Sequence, residues 1–475
     1  MADVNDTREA PAGPRPDDQG PDDQVLELEA GIERAVIEAL DAGDDARVRE
    51  LVQPLHHSDA ADLLEHLKGD HRARLVDCLQ ADLQPEILTE LDETVREDVI
   101  DQLGVEDLAA ALVELDSDDA LEVIEELDEK DQQEVLDAIP AVDRSLIEEG
   151  LGYPEDSAGR LMQREVVTVP TFWTVGETID FMRQSADADD GDLPGQFYDI
   201  YVVDPAHRPV GAMPLSRLLR TRRPVLVTEI MEKEMKCLPA TTDQEDVAFL
   251  FRQRDLVSAP VVDDAGRLVG AITVDDVVDV IHEEHEEDIM RMGGVREDDL
   301  YDATVDTTRA RFAWLLVNLG TAILASLVIG LFDATIEQMV ALAILMPIVA
   351  SMGGNAGTQT LTVAVRALAM KELTPTNALR VIGKEVLVGV LNGVVFAVLM
   401  GAVAWIWFGS ATLGLVIGLA MIVNMVVAGL AGATIPLMLD RAGVDPAVAS
   451  SVFLTTVTDV VGFFVFLGLA ALFLL

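Results

Sequence analysis

Positive charge and cysteine are both scarce in this chain. Its 475 residues carry 33 Lys and Arg against 85 Asp and Glu, a formal net charge of -52. So negative a field repels nucleic acid and gathers cations, which sets nucleic-acid binding aside. Only two cysteines occur, Cys78 and Cys237, without a CxxC or any metal-ligand spacing. Both fall in regions read below as cytosolic, so two small buried thiols are expected rather than a disulfide. A phosphate loop of the form GxxxxGK followed by Ser or Thr is missing, as are a DKTGT phosphorylation motif and any nucleophile–base pattern. ATP-driven pumping and catalysis are therefore disfavoured, and no enzyme is expected. The N-terminus has neither a basic start nor an apolar run, so it does not read as a secretory signal. Residues 1–24, rich in Pro, Asp and Gly, are expected to form a disordered tail.

Long apolar runs are present in one third of the chain only. From residue 312 onward there are 7 acidic and 5 basic residues, so almost all the net charge lies before that point. Five apolar stretches, 312–332, 339–370, 381–408, 412–439 and 447–475, are each long enough to cross a hydrocarbon core of about 20 residues. Arg309, Arg311, Arg366, Lys371, Arg380, Lys384 and Arg441 flank one side, whereas the loops around 333–338 and 409–411 hold no Lys or Arg. The positive-inside rule then places the acidic N-terminal portion in the cytoplasm and residue 475 outside.

Asp459 stands within VFLTTVTDVVGFFVFLGLA. A carboxylate at mid-span costs about 2.5–3.5 kcal/mol on insertion scales, so it needs a partner, water or a passing cation. Packing against the hydroxyls of Thr455, Thr456 and Thr458 is the bland alternative to an ion pathway. Two polar islands support the pathway. The second span carries Pro347 and SMGGNAGTQT, with Gly353 and Gly357 in GxxxG spacing and Asn355 and Gln359 as amides. The fourth holds Asn424, small residues from Ala428 to Thr434, and Pro436. Asn355, Gln359 and Asn424 are the expected pore-lining groups.

The cytoplasmic portion opens with a repeat. Leu55, Leu67, Leu79, Leu91, Leu103, Leu115, Leu127 and Ile139 recur every twelve residues, each preceded three places earlier by another apolar residue. This spacing predicts an all-α superhelical domain over 25–150, one short helix and a turn per unit. Residues 151–288 change to mixed strand and helix in two copies, DIYVVDPAHRPVGAMPLSRLL and SAPVVDDAGRLVGAITVDDVV. Each reads as a strand ending in Asp, a turn, a second strand and a helix, an α/β pair suited to regulation. The second copy ends in an acidic helix on which Asp276, Asp279, Glu283 and Glu287 share a face. Such a stripe is either a solvated surface or a place for hard cations such as magnesium, which take oxygen ligands and keep waters. His282 and His285 are too few to argue for a softer metal.

The repeat domain, the two α/β units and the five spans with SMGGNAGTQ and DPAVASSVFLTTVTDVVGF closely resemble the MgtE family of magnesium channels and transporters, over about 25–475. The duplicated units look like tandem CBS domains over 151–288. That resemblance implies a homodimer in the bacterial inner membrane, gated by intracellular magnesium, with 312–475 as a five-helix pore domain and 289–311 as a connecting, plug-like helix. By it, Asp459 binds hydrated Mg2+ in the pore and Asp445 is a second carboxylate at the pore mouth. Asp243, Asp255, Asp276, Asp279, Glu284, Glu287 and Asp288 match positions that hold regulatory Mg2+, with Asp118 and Asp119 as further candidates. Position 282 carries His where the family leads one to expect a carboxylate.

The mechanism expected is closure by bound Mg2+, which screens the acidic faces and draws the cytoplasmic domains together. One rival is a proton- or sodium-coupled divalent cation exchanger using the same membrane carboxylate. Another is a membrane-anchored nucleotide sensor. Thr273 and Asp276 form the hydroxyl–carboxylate pair with which some CBS domains hold adenosine, which makes ATP a candidate modulator.

Overall fold

The computed structural model describes residues 21–186, 193–194, 196–295 and 304–474. It divides into two compact units, Met1–Val277 and Val278–Leu475.

The twelve-residue repeat becomes a train of short helices. After a leading helix, Pro21–Ala42, come Asp45–Val52, His57–His66, Gly69–Leu79, Glu93–Leu103, Val105–Glu114, Ser117–Glu125, Glu129–Ala138 and Ala141–Gly150. The start expected near residue 81 is replaced by a 3-10 turn, Gln80–Asp82, and a single turn, Ile87–Glu90. Pro85 lies between them and cannot donate a helical hydrogen bond.

The structural period is twice the sequence period. Leu67, Leu91, Leu115 and Ile139 each end a helix in an extended conformation. At alternate junctions the chain turns through Gln80 (φ 39°), Gly104 (φ 82°) or a right-handed Glu126. Helices therefore pair, and the apolar repeat residues of all units merge into one core. A polar residue on the fourth position of several helices ties a unit to its predecessor. Arg72 donates to the carbonyls of Leu64 and Leu67, Arg96 to those of Thr89 and Leu91, and Gln132 to that of Ile124. These carbonyls are the ones a helix end leaves unsatisfied.

Two three-stranded sheets follow with one topology. In the first, β1 (Thr168–Pro170) runs parallel to β2 (Asp199–Val203), which pairs antiparallel with β3 (Pro209–Pro214). In the second, β4 (Leu238–Pro239), β5 (Ser258–Val262) and β6 (Leu268–Thr273) repeat that order. The duplication holds to the residue. Asp204 accepts from the amides of Ala206 and Arg208, as Asp263 does from Ala265 and Arg267, and His207 and Gly266 both take positive φ in the turn. Ser258 connects the sheets, donating to Asp199 at 2.7 Å and meeting the Tyr201 hydroxyl at 2.9 Å.

The second unit holds five long apolar helices, Thr304–Gly330, Ala341–Ala369, Ala378–Phe408, Ala411–Arg441 and Pro446–Phe473, each long and apolar enough to span a membrane. A short helix, Asp333–Gln338, joins the first two and was not foreseen. The second has the lowest mean hydropathy, 1.3, because it carries the Ser351–Thr360 polar island. The fourth is the most enclosed and packs against the second, third and fifth. Its approach to the third depends on glycine: a Cβ at Gly389 would stand 2.6 Å from the Met425 carbonyl oxygen.

Three expectations need amending. Residues 21–24 begin the leading helix instead of belonging to a tail, and residues 1–20 lie outside the described residues. Segment 289–311 is not one helix: 289–293 complete the acidic helix Val274–Gly293, and 304–311 begin the first span, with 296–303 outside the described residues. The two thiols are free, but Cys78 is only half-buried and Cys237 is exposed.

Candidate functional site

The candidate residues separate into three places, with Asp243, Asp255 and Asp279 left apart. The first lies within the first unit, at the start of the helix Ser117–Glu125, where Asp118 and Asp119 interact with Asp276, and Asp116 with Asp275, from the first turn of the acidic helix. Burial, then the charges of Asp276 and Asp119, holds the Asp118 carboxyl well above the ordinary carboxylate range. Asp119 is pushed up to about 7 by burial, then by Glu122 and Asp276. Asp116 is raised by burial and by Glu165. Two helix N-termini point at this cluster and offset part of the repulsion. Ser117 fixes the approach, its hydroxyl donating to Glu165 at 2.8 Å and accepting from the Arg164 amide at 2.9 Å.

The donors here are all oxygen, the set a hard divalent cation takes. Among the described residues no three carboxylate, imidazole or thiolate groups converge as a direct ligand cage. An ion that keeps part of its water shell needs no such cage, and the raised carboxyls mark negative charge that a cation would relieve. The residues fit hydrated Mg2+.

The second place is the far end of the acidic helix. Glu287 and Asp445 both pair with Arg291, and Asp445 caps the last membrane helix by accepting from the Ala447 amide at 2.7 Å. Asp288 is raised by burial, then by Asp445 and Glu284, with His285 opposing. Met292 packs against Leu361, Val365, Ala447 and Leu454 of the helix bundle.

Asp243 and Asp255 sit at opposite ends of the helix Gln244–Arg254, about 18 Å apart at 1.5 Å per residue, and cannot share an ion. Asp243 caps that helix through the Glu245 amide, and Asp255 ends it in a left-handed conformation. Asp279 lies one turn beyond Asp276 on its helix. His282 is exposed and meets Glu286 at 3.5 Å. Thr273 donates from its hydroxyl to Asp276 at 2.9 Å, so that pair is already closed on itself.

The third place is in the apolar bundle. Asp459 is half-buried and, among the described residues, has no hydrogen-bond or ion-pair partner. The hydroxyls expected to satisfy it go elsewhere: Thr455, Thr456 and Thr458 donate to the carbonyls of Ser451, Val452 and Leu454. Thr455 lies beside Gly354 of the second span. On that span Ser351, Asn355, Thr358 and Gln359 are all exposed, with Asn355 donating to Ser351 at 3.4 Å. Asn424 does not line this stripe. It is fully buried, donates to the Val349 carbonyl at 2.8 Å and wedges against Gly353 and Gly462. Its role is to hold three helices at their crossing.

Glu385 was missed. It sits seven residues into the third span, is 8% exposed, and accepts from the Thr360 hydroxyl at 3.1 Å. It borders a cleft of about 160 Å³ with Gln359, Thr360 and Asn392. The signal is a carboxylate seven residues inside an apolar run, next to Lys384 of the charged flank.

Comparison with known proteins matches residues 346–469 to the MgtE divalent cation transporter family, 55–156 to the MgtE intracellular N domain, and 227–283 to the CBS domain. The magnesium transporter MgtE of Thermus thermophilus is 37% identical over 335 residues, 70% of this chain and 73% of that protein. That of Enterococcus faecalis is 33% identical over 328 residues, 69% and 71% of the two.

The chain belongs to the MgtE family of magnesium transporters.

A solved cytosolic domain of the Mg2+ channel MgtE in complex with ATP is 34% identical, covering 52% of this chain and 99% of that one, with a TM-score of 0.48. The chain carries a helical N-terminal domain, a CBS pair and five candidate membrane helices. The CBS model matches only the second α/β unit, and the first repeats its strand order and turn.

Proposed function

We propose that this protein carries Mg2+ across the bacterial inner membrane as a homodimeric channel, inward, with Asp459 as the ion's central contact. The observation that carries this reading is the absence of any partner for Asp459 among the described residues, beside an outward-facing row of hydroxyls and amides. A polar stripe on the outside of an apolar bundle is costly against lipid. A second copy facing it would enclose a wet path lined by Asn355 and Gln359 from both chains. Hydrated Mg2+ suits a carboxylate that has no other cation to pair with.

In the same reading the acidic clusters sense cytoplasmic Mg2+. Asp118, Asp119 and Asp276 form one sensing site. Glu287, Asp288 and Asp445 form another at the pore mouth, while Asp243, Asp255, Asp279 and Glu284 contribute through the field they create. Bound Mg2+ favours closure because it relieves repulsion only where the carboxylates are close, which is the differential affinity that a shift in population requires. Residues 289–293, docked through Met292, are the plug. ATP is a candidate modulator at Thr273 and Asp276, which would have to open their mutual hydrogen bond to receive it.

The deciding experiment is Mg2+ flux into liposomes with wild type and Asp459→Asn. Loss of most of the flux in a folded variant is expected, and unchanged flux would sink the pore assignment.

A further inference from the structure

Arg291 occupies the carboxylates that a pore-mouth cation would need. Its guanidinium pairs with Glu287 one turn earlier on the acidic helix, and Nη1 donates to Asp445 Oδ2 at 2.7 Å. The other Asp445 oxygen accepts from the Ala447 amide. Both oxygens of Asp445 are thus engaged by this chain itself. The neighbouring Asp288 and Glu284 carboxyls add negative charge beside Asp445. Met292 is anchored among Leu361, Val365, Ala447 and Leu454, and Gly294 lies against the Trp314 indole, so the backbone carrying Arg291 is fixed at this spot.

We propose that Arg291 is a tethered competitor of Mg2+: its guanidinium holds the Glu287–Asp445 pair when no divalent ion is bound, and must leave before Mg2+ can bridge these carboxylates. The side chain thereby sets the Mg2+ concentration at which the pore mouth loads. This rests on reading Glu287, Asp288 and Asp445 as a regulatory Mg2+ site.

The physical grounds are direct. A guanidinium has only donors and cannot shed its charge, so it competes for the same oxygen lone pairs as a metal ion. Being covalently attached, it acts at high effective concentration. Its side chain is also 42% exposed, which leaves it a path into solvent on exchange. Half-exposed ion pairs are weak enough to be displaced, so the competitor tunes the threshold without locking the site.

The test uses the full-length protein in detergent micelles, comparing wild type, Arg291→Gln, Arg291→Lys and Glu287→Gln. Two readouts serve: Mg2+ binding by calorimetry, and Mg2+-dependent protection of the segment around Gly293 from limited proteolysis. Arg291→Gln is expected to load at an Mg2+ concentration about two- to fivefold lower than wild type. Arg291→Lys keeps the charge but loses the fork, and its midpoint is expected between the two. A midpoint unchanged or raised in Arg291→Gln overturns the proposal. If that variant loses its cooperative unfolding transition, Arg291→Lys decides, and a midpoint equal to or above that of wild type overturns it. Should Glu287→Gln bind and be protected like wild type, the regulatory-site reading fails instead. Weakened binding in Glu287→Gln with no tightening at position 291 would sink the tethered competitor alone.

Discussion

The Nδ2 of Asn424 donates to the carbonyl of Val349 at 2.8 Å, while its Oδ1 is buried with no partner among the described residues. A polar side chain at 0% exposure in an apolar bundle thus has one bond made and one acceptor orphaned. Its fit depends on Gly353, where a Cβ would overlap Asn424 Nδ2. Gly353→Ala is expected to destabilise the bundle by about 1–3 kcal/mol through overpacking. Combining it with Asn424→Ala should cost less than the two single changes added together, because the second removes the clash. Thermal unfolding of the four proteins in detergent closes this double-mutant cycle; strict additivity would mean that the two residues do not share the crossing.

The carboxyl cluster at Asp118, Asp119 and Asp276 predicts a pH dependence. Folded-state values raised above the ordinary carboxylate range stabilise fully below about pH 4, and that contribution is lost as pH rises, through about 7 for Asp119. Without Mg2+ the unfolding temperature of the first unit should therefore fall between pH 5 and 8. The charges of Glu122 and Glu86 add to the rise at Asp119, and those of Glu165 and Glu86 to the rise at Asp116. Excess Mg2+ should flatten the fall, since metal and protons compete for one set of oxygens. Asp119→Asn should flatten it as well, without Mg2+. An Mg2+-free melting temperature that climbs over this range would contradict the assignment.

Arg96 tests the joints of the repeat. It is 5% exposed, bonds to the carbonyls of Thr89 and Leu91, and pairs with Glu122 at 2.9 Å and Glu126 at 2.6 Å. Glu126 already stands at about 7 because burial outweighs the attraction of Arg96. Arg96→Ala strands that acid and two helix-end carbonyls, so a loss of about 3 kcal/mol or more is expected in chemical denaturation. Arg96→Lys can serve one carbonyl or one carboxylate but not the whole fork, and should fall between. A loss below about 1 kcal/mol in the alanine variant would show that the helix pairs are joined by apolar packing alone.

Sequence periodicity determined much of this protein. Helical starts every twelve residues, two copies of an Asp-turn between strands and five spans are all carried by local patterns. They read directly because burial of one face repeats with the geometry of the element. Local pattern also singled out Asp459, since a charge in an apolar run is anomalous wherever it packs. Tertiary structure decided what periodicity cannot reach. It grouped Asp118 and Asp119 with Asp276 while leaving Asp243 and Asp255 apart, and doubled the repeat through alternating junctions. It also turned Asn424 inward and Asn355 outward and set Arg291 on Asp445, although 154 residues separate that pair in the chain. Which polar groups meet depends on how helices cross and rotate, and a single chain's spacing does not encode the neighbour across the gap.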